Sequence, residues 1–207
     1  MRGLPQSQMF HEFNLVSGGF PTANFSIRKW LFKSLNGFDE SIPIYAEDYD
    51  LCARIYKARS NVYYNKDVTV FHQHRQNIAS TWRQSFGFGT GHATLLKKQF
   101  RRILVFELPQ WRFISERWPL RAWIDIASAD KKLIIGLILS IIWWPFIFLT
   151  LSYLIYLYRD IGLRIKENHL EGSFFEKWCM VFLLCFKSMA MTAGRLKGSF
   201  THGVLCF

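Results

Sequence analysis

The chain has 207 residues, with 26 Lys and Arg against 15 Asp and Glu, a formal net charge of +11, and 50% hydrophobic residues. That length holds one domain of ordinary size plus attachments, and so basic and apolar a chain suits an anionic membrane surface better than duplex DNA. It shows no zinc-finger spacing, RNA-recognition signature or basic heptad array, so no nucleic-acid partner is expected.

The four cysteines, Cys52, Cys179, Cys185 and Cys206, are scattered without a Cys-x-x-Cys pair. They read as free thiols of a reducing compartment rather than a disulfide framework or a zinc site. Met1 to Gln8 contains no apolar core of a secretory signal.

Residues 13–16 read as a strand, followed by a Ser17-Gly18-Gly19 turn and a helix beginning near Ser26. Gly18 and Gly19 permit a positive φ or a close approach of backbone to ligand, although by themselves they read first as a plain turn. Asn36-Gly37 is a second turn signal. Glu47-Asp48-Tyr49-Asp50 then opens a helix, with Leu51, Ile55 and Ala58 toward a core and Arg54, Lys57 and Arg59 outward. Acids in a first helical turn are favoured by the exposed amides, so capping is one sufficient explanation. The other is a general base: the helix start keeps Asp48 ionised while Glu47 and Asp50 raise its pKa.

Val62-Tyr63-Tyr64, Asn65-Lys66-Asp67 and Val68-Thr69-Val70-Phe71 read as strand, turn and strand. His72 and His74 follow, as surface residues or as part of a metal or diphosphate site. The stretch Phe86-Gly87-Phe88-Gly89-Thr90-Gly91-His92 matches neither a P-loop nor the G-x-G-x-x-G dinucleotide turn. Preceded by Arg83, it reads as a loop and helix start able to contact phosphate. Residues 95–104 mix cations and apolar side chains at near-helical spacing, as a headgroup-bound helix or a solvated face would.

Residues 116–132 read as an amphipathic linker, and 133–158 contain no charge, long enough for a membrane helix. Pro145 near the middle of that segment removes a backbone donor, and cations flank both ends. Both a straight span and a re-entrant hairpin fit. Within the basic tail 159–207, residues 178–193 are apolar apart from Lys187 and form a possible second membrane helix.

As an ordered set, the blocks Thr22-Ala23-Asn24-Phe25-Ser26-Ile27-Arg28-Lys29, Gly37-Phe38-Asp39-Glu40, Glu47-Asp48-Tyr49-Asp50 and Val70-Phe71-His72 resemble the catalytic domain of family 2 glycosyltransferases. The resemblance spans about residues 13–92, the second half of that domain in the membrane-attached branch. It implies an α/β fold class, with a partial GT-A-like (Rossmann-like) sheet domain over 1–115 followed by membrane-embedded helices. It implies an inverting transfer from a nucleotide-sugar donor to a lipid-linked or cell-surface glycan acceptor, at the cell membrane, with the catalytic part on the cytoplasmic side. Asp48 would be the base, Gly19, Asn24, Glu47 and Arg83 would bind donor or acceptor, and His72 would help hold a Mg²⁺ or Mn²⁺ diphosphate.

Nothing before Asn24 supplies the family's nucleotide-binding strands or its Asp-x-Asp metal motif, so a separate chain carrying that half is an expected partner. The Gln-x-x-Arg-Trp mark of processive synthases is absent, which leans toward transfer of single sugars. The alternative is a non-catalytic truncated membrane protein or an accessory subunit of a split enzyme. Because half a doubly wound sheet leaves an unpaired edge, calorimetric titration of this chain alone with a UDP-sugar is expected to show no tight binding.

Overall fold

The computed structural model describes residues 8–10, 20–42, 45–65, 68–71, 75 and 77–207. The expected strand at 13–16 and turn at 17–19, and His72 and His74, lie outside the described residues. The fold is mixed α/β, mostly helical, with small sheets.

Strand β1 (Gln8–Phe10) pairs antiparallel with β2 (Val62–Tyr64), and between them lie a 3-10 turn at Thr22–Asn24, helix α1 (Lys29–Ser34) and helix α2 (Glu47–Lys57). Helix α3 (Ile78–Gln99) follows, then strands β3 (Ile103–Leu108), β4 (Trp111–Ser115) and β5 (Arg121–Asp125). Helices α4 (Ala129–Ile142), α5 (Ile147–Glu167) and α6 (Phe174–His202) lead to β6 (Leu205–Cys206). The larger sheet has the order β4-β3-β5-β6, antiparallel at β3–β4 and parallel at β3–β5 and β5–β6.

Helix ends follow local chemistry. The Asn77 side chain accepts a hydrogen bond from the Ser80 amide at 2.7 Å and starts α3. Ser173 and Glu176 form a reciprocal capping box at the start of α6, and Gly203 stops that helix at φ 62°.

Helices α3 and α6 lie side by side in contact too close for side chains. A Cβ on Gly89 would run into the Met191 carbonyl, and one on Gly194 into the Phe86 carbonyl. Further along, Gly198 faces Ala93, whose Cβ stands 2.6 Å from where its own would be. One face of β3, β5 and β6 packs on α3 through Ile103, Val105, Trp123 and Cys206 against Ala93, Leu95 and Leu96. This is the core.

A buried polar knot fastens the same elements. The Arg195 guanidinium pairs with Asp125 at 2.8 Å, donates to His92 Nδ1 at 3.2 Å and lies over the Trp123 ring. The Lys131 ammonium donates to Thr192 at 2.9 Å and to Ser128 at 3.2 Å, while Ser188 donates to Asp130 at 2.6 Å. Burial first, and the neighbouring Arg195 charge second, push the His92 pKa down to about 3.

Beyond this region the apolar pattern turns outward. Helices α4 and α5 fold back on one another: Gly136 admits Thr150, and Lys132 sits over the Tyr153 ring at 5.2 Å. Ile141 is 85% and Trp144 68% exposed on that hairpin, and Phe175 is 75% exposed on α6. Exposure of this kind suits hydrocarbon rather than water. Two helices, Trp144–Glu167 and Phe174–His202, are long and apolar enough to cross a membrane.

Several expectations change. Segment 133–158 is not one straight helix: it breaks at Trp143–Phe146, where Pro145 opens a 3-10 turn, and reverses. The second apolar helix is longer than 178–193, because its small residues continue the contact with α3. Residues 95–104 divide between the end of α3 and β3, and the linker 116–132 contains β5 and the start of α4. Residues 68–71 form no strand. The glycine-rich stretch 86–92 is the middle of α3, not a loop, since its glycines face neighbouring backbone and aromatic groups.

Two outcomes follow from this packing. Gly194→Ala should lower unfolding free energy by about 3 kcal/mol through overpacking, while Gly162→Ala, whose nearest neighbour would stand 3.9 Å away, should not. Chemical denaturation in detergent compares them. His92 is neutral when folded and has its ordinary pKa when unfolded, so its share of stability is complete above about 6.5 and declines as pH falls toward about 3. Unfolding near pH 5 should therefore take up about one proton on its account, an uptake absent in His92→Gln.

Candidate active site

Helix α2 presents its acids at the place the sequence suggests, and the three do different things. Glu47 turns back, accepting hydrogen bonds from the Tyr45 amide at 2.8 Å and the Ala46 amide at 2.9 Å. Its carboxylate holds the entry loop, in the manner of a helix cap. Asp50 is 2% exposed and pairs with Arg54 at 2.8 Å and with the Gln99 amide. Arg54 does not point outward as the helical pattern suggests. It donates to the Leu35 and Gly37 carbonyls at 2.6 and 2.7 Å, tying the Asn36-Gly37 turn to α2.

Asp48, like Glu47, forms no salt bridge among the described residues. Its carboxylate accepts from the Tyr49 amide at 2.9 Å, and the Thr22 backbone faces it from the 3-10 turn. Burial raises its pKa above the ordinary carboxylate value; the Tyr49 amide pulls it down and the Glu47 charge adds to the rise. Desolvation therefore outweighs the amides of the helix start. A half-buried carboxylate whose pKa is raised toward neutrality is a stronger base than a free aspartate.

The same 3-10 turn carries Asn24, whose amide donates to the Val68 carbonyl at 3.0 Å. Cys52, one turn along α2, faces the Phe20 carbonyl at 3.9 Å. Thus residues 20–24, the start of α2 and the segment at Val68 meet, although they are distant in sequence. Asn24, Glu47 and Asp48 are brought into one neighbourhood. Gly19 and His72 lie outside the described residues, and Arg83 is exposed in the first part of α3.

One positioning feature escapes the sequence. Tyr45 has φ 94°, a strained value for an aromatic residue. Its ring lies over Gly87, where a Cβ would collide with it, and edge-on to Phe88 at 5.4 Å. Gly91 gives room to Ala46, whose Cβ is 2.9 Å from the position of an added carbon. The glycines read as a phosphate loop instead grip the turn that delivers Asp48. The spacing Gly87, Gly91 is one helical turn and was the available signal.

Among the described residues, no group of three or more His, Cys, Asp or Glu side chains is arranged to hold a metal ion. A separate open cavity of about 470 Å³ lies at the far end of the larger sheet, bordered by Glu107, Arg112 and Asp125. Compared with family models, with curated proteins and with solved structures, the chain matches none of them.

Proposed function

We propose that the chain is the acceptor-side part of a membrane-attached inverting glycosyltransferase with a GT-A-like architecture. Asp48 takes the proton from an acceptor hydroxyl as that oxygen attacks the anomeric carbon of a nucleotide-sugar, and the nucleoside diphosphate leaves. A Mg²⁺ or Mn²⁺ ion, held mostly by residues of the complementary half with His72 contributing, would offset the diphosphate charge. Asn24 and the Thr22–Asn24 turn face the acceptor, and Arg83 the donor phosphates. The protein works at the cell membrane, with the acid-bearing part on the cytoplasmic side.

The observation that carries this reading is the division of labour among the three acids. Glu47 and Asp50 are engaged by the loop and by Arg54, whereas Asp48 meets no cation among the described residues, is half-buried and is raised in pKa. Backbone strain at Tyr45, three residues away, adds to it, because strained residues gather at functional sites. The two apolar helices support membrane attachment.

A second reading, a non-catalytic membrane subunit, is favoured by one fact: Glu47 has a structural use, one carboxylate oxygen accepting from the Tyr45 and Ala46 amides. The two readings differ in what Asp48→Asn does. A raised pKa means the folded state favours the protonated acid, so ionised Asp48 costs stability at pH above that pKa. In a reconstituted complete enzyme Asp48→Asn should therefore raise the melting temperature at pH 7, and the gap should close as pH falls. Transfer should drop by about a hundredfold or more. A capping acid would give the reverse, a lower melting temperature with transfer retained.

A further inference from the structure

The cavity at the end of the larger sheet takes no part in the chemistry at Asp48. Its volume, about 470 Å³, is that of a small-ligand site. Glu107 and Asp125 stand directly opposite one another on the parallel strands β3 and β5, and Arg112 opposes Glu107 from β4. Gln110 comes from the β3–β4 turn, Trp111 from the start of β4 and Ser128 from the approach to α4. The cavity therefore opens at the root of the apolar α4–α5 hairpin.

The charges at this site are already balanced. Arg112 pairs with Glu107 at 2.6 Å and Arg195 with Asp125 at 2.8 Å. The second Glu107 oxygen accepts from the Trp123 indole at 3.0 Å, and the second Asp125 oxygen from the Ser128 amide at 3.1 Å. A phosphate would meet two carboxylates with no unpaired guanidinium to receive it. A divalent cation would have to displace two arginines, one of them buried. An uncharged ligand with several hydroxyls meets neither obstacle. Each carboxylate keeps lone pairs to accept from it, Gln110 and Ser128 donate or accept, and the half-exposed Trp111 ring offers an apolar platform.

We infer that this cavity is a saccharide-binding site, engaging a neutral sugar of the acceptor glycan where it emerges from the membrane. The assignment of that sugar to an acceptor rests on the transferase reading; the binding chemistry does not. It places a second hold on the glycan, away from the reacting hydroxyl, so that acceptor affinity and proton removal are served by different residues.

Ligand-observed saturation-transfer NMR on the full chain in lipid nanodiscs tests this with the methyl glycosides of glucose, galactose, mannose and N-acetylglucosamine. At least one should bind saturably with a dissociation constant of about 1–10 mM, weakened roughly tenfold by Trp111→Ala, a change on an exposed edge strand. Glu107→Gln, which keeps the bond from Trp123, should weaken it similarly. Inorganic phosphate and Mg²⁺ should not compete, and Asp48→Asn should leave binding unchanged. Absence of saturable binding by all four glycosides, indifference to both cavity variants, or displacement by phosphate or Mg²⁺ would overturn the inference. Failure of transfer by a reconstituted complete enzyme, with glycoside binding intact, would instead count against the transferase reading.

Discussion

Backbone-to-backbone contact between α3 and α6 is the constraint on which the other features depend. Gly89 and Gly194 each admit the carbonyl of the opposite helix, and Gly198 admits Ala93. Approach this close brings many atoms into dispersion contact, and it works equally in water and in lipid, where hydrophobic burial no longer drives association. The start of α6 faces outward with Phe175 and Phe182, and its later part packs one face on α3 while Phe200 on the other stays exposed. A single helix thereby joins a membrane-suited surface to a packed interior.

The charged groups enclosed at this junction are arranged to satisfy one another. Arg195, on α6, reaches Asp125 on β5 and His92 on α3 at once. Lys131 at the start of α4 reaches back to Thr192. Buried ions of this kind contribute little net stability compared with apolar packing, but removing one partner leaves another stranded. Their geometric demand fixes where α4 departs from the sheet. That in turn decides where the cavity beside Glu107 and Asp125 opens.

Helix α3 also links the two candidate sites. Gly89 serves the contact with α6, while Gly87 and Gly91 receive Tyr45 and Ala46. The turn that carries Asp48 is thus seated on the same helix that organises the membrane-facing part. Strain at Tyr45 is held there by Glu47 below and Gly87 above. The Asp48 carboxylate gains a fixed position without a salt bridge among the described residues, and such a partner would have lowered its pKa.

The start of α2, the presence of a long apolar region and the grouping of acids at one helix start could be read from residue order, because each depends on neighbours within a few positions. The helix of Glu47–Lys57 begins where the acids do, and uncharged residues from 133 to 158 announce a membrane-suited surface. The division of roles among Glu47, Asp48 and Asp50 was not legible. It depends on Gln99 and residues 20–24, which approach only after folding, and on the Leu35 and Gly37 carbonyls that hold Arg54. Nor was the purpose of the α3 glycines, since a Gly-x-Gly pattern marks close approach without saying to what. Local chemistry along the chain determined where helices start and stop and which surface is apolar. Only the tertiary structure decided that Asp48 is half-buried beside residues 20–24 and what the glycines admit, because both depend on groups tens of residues away.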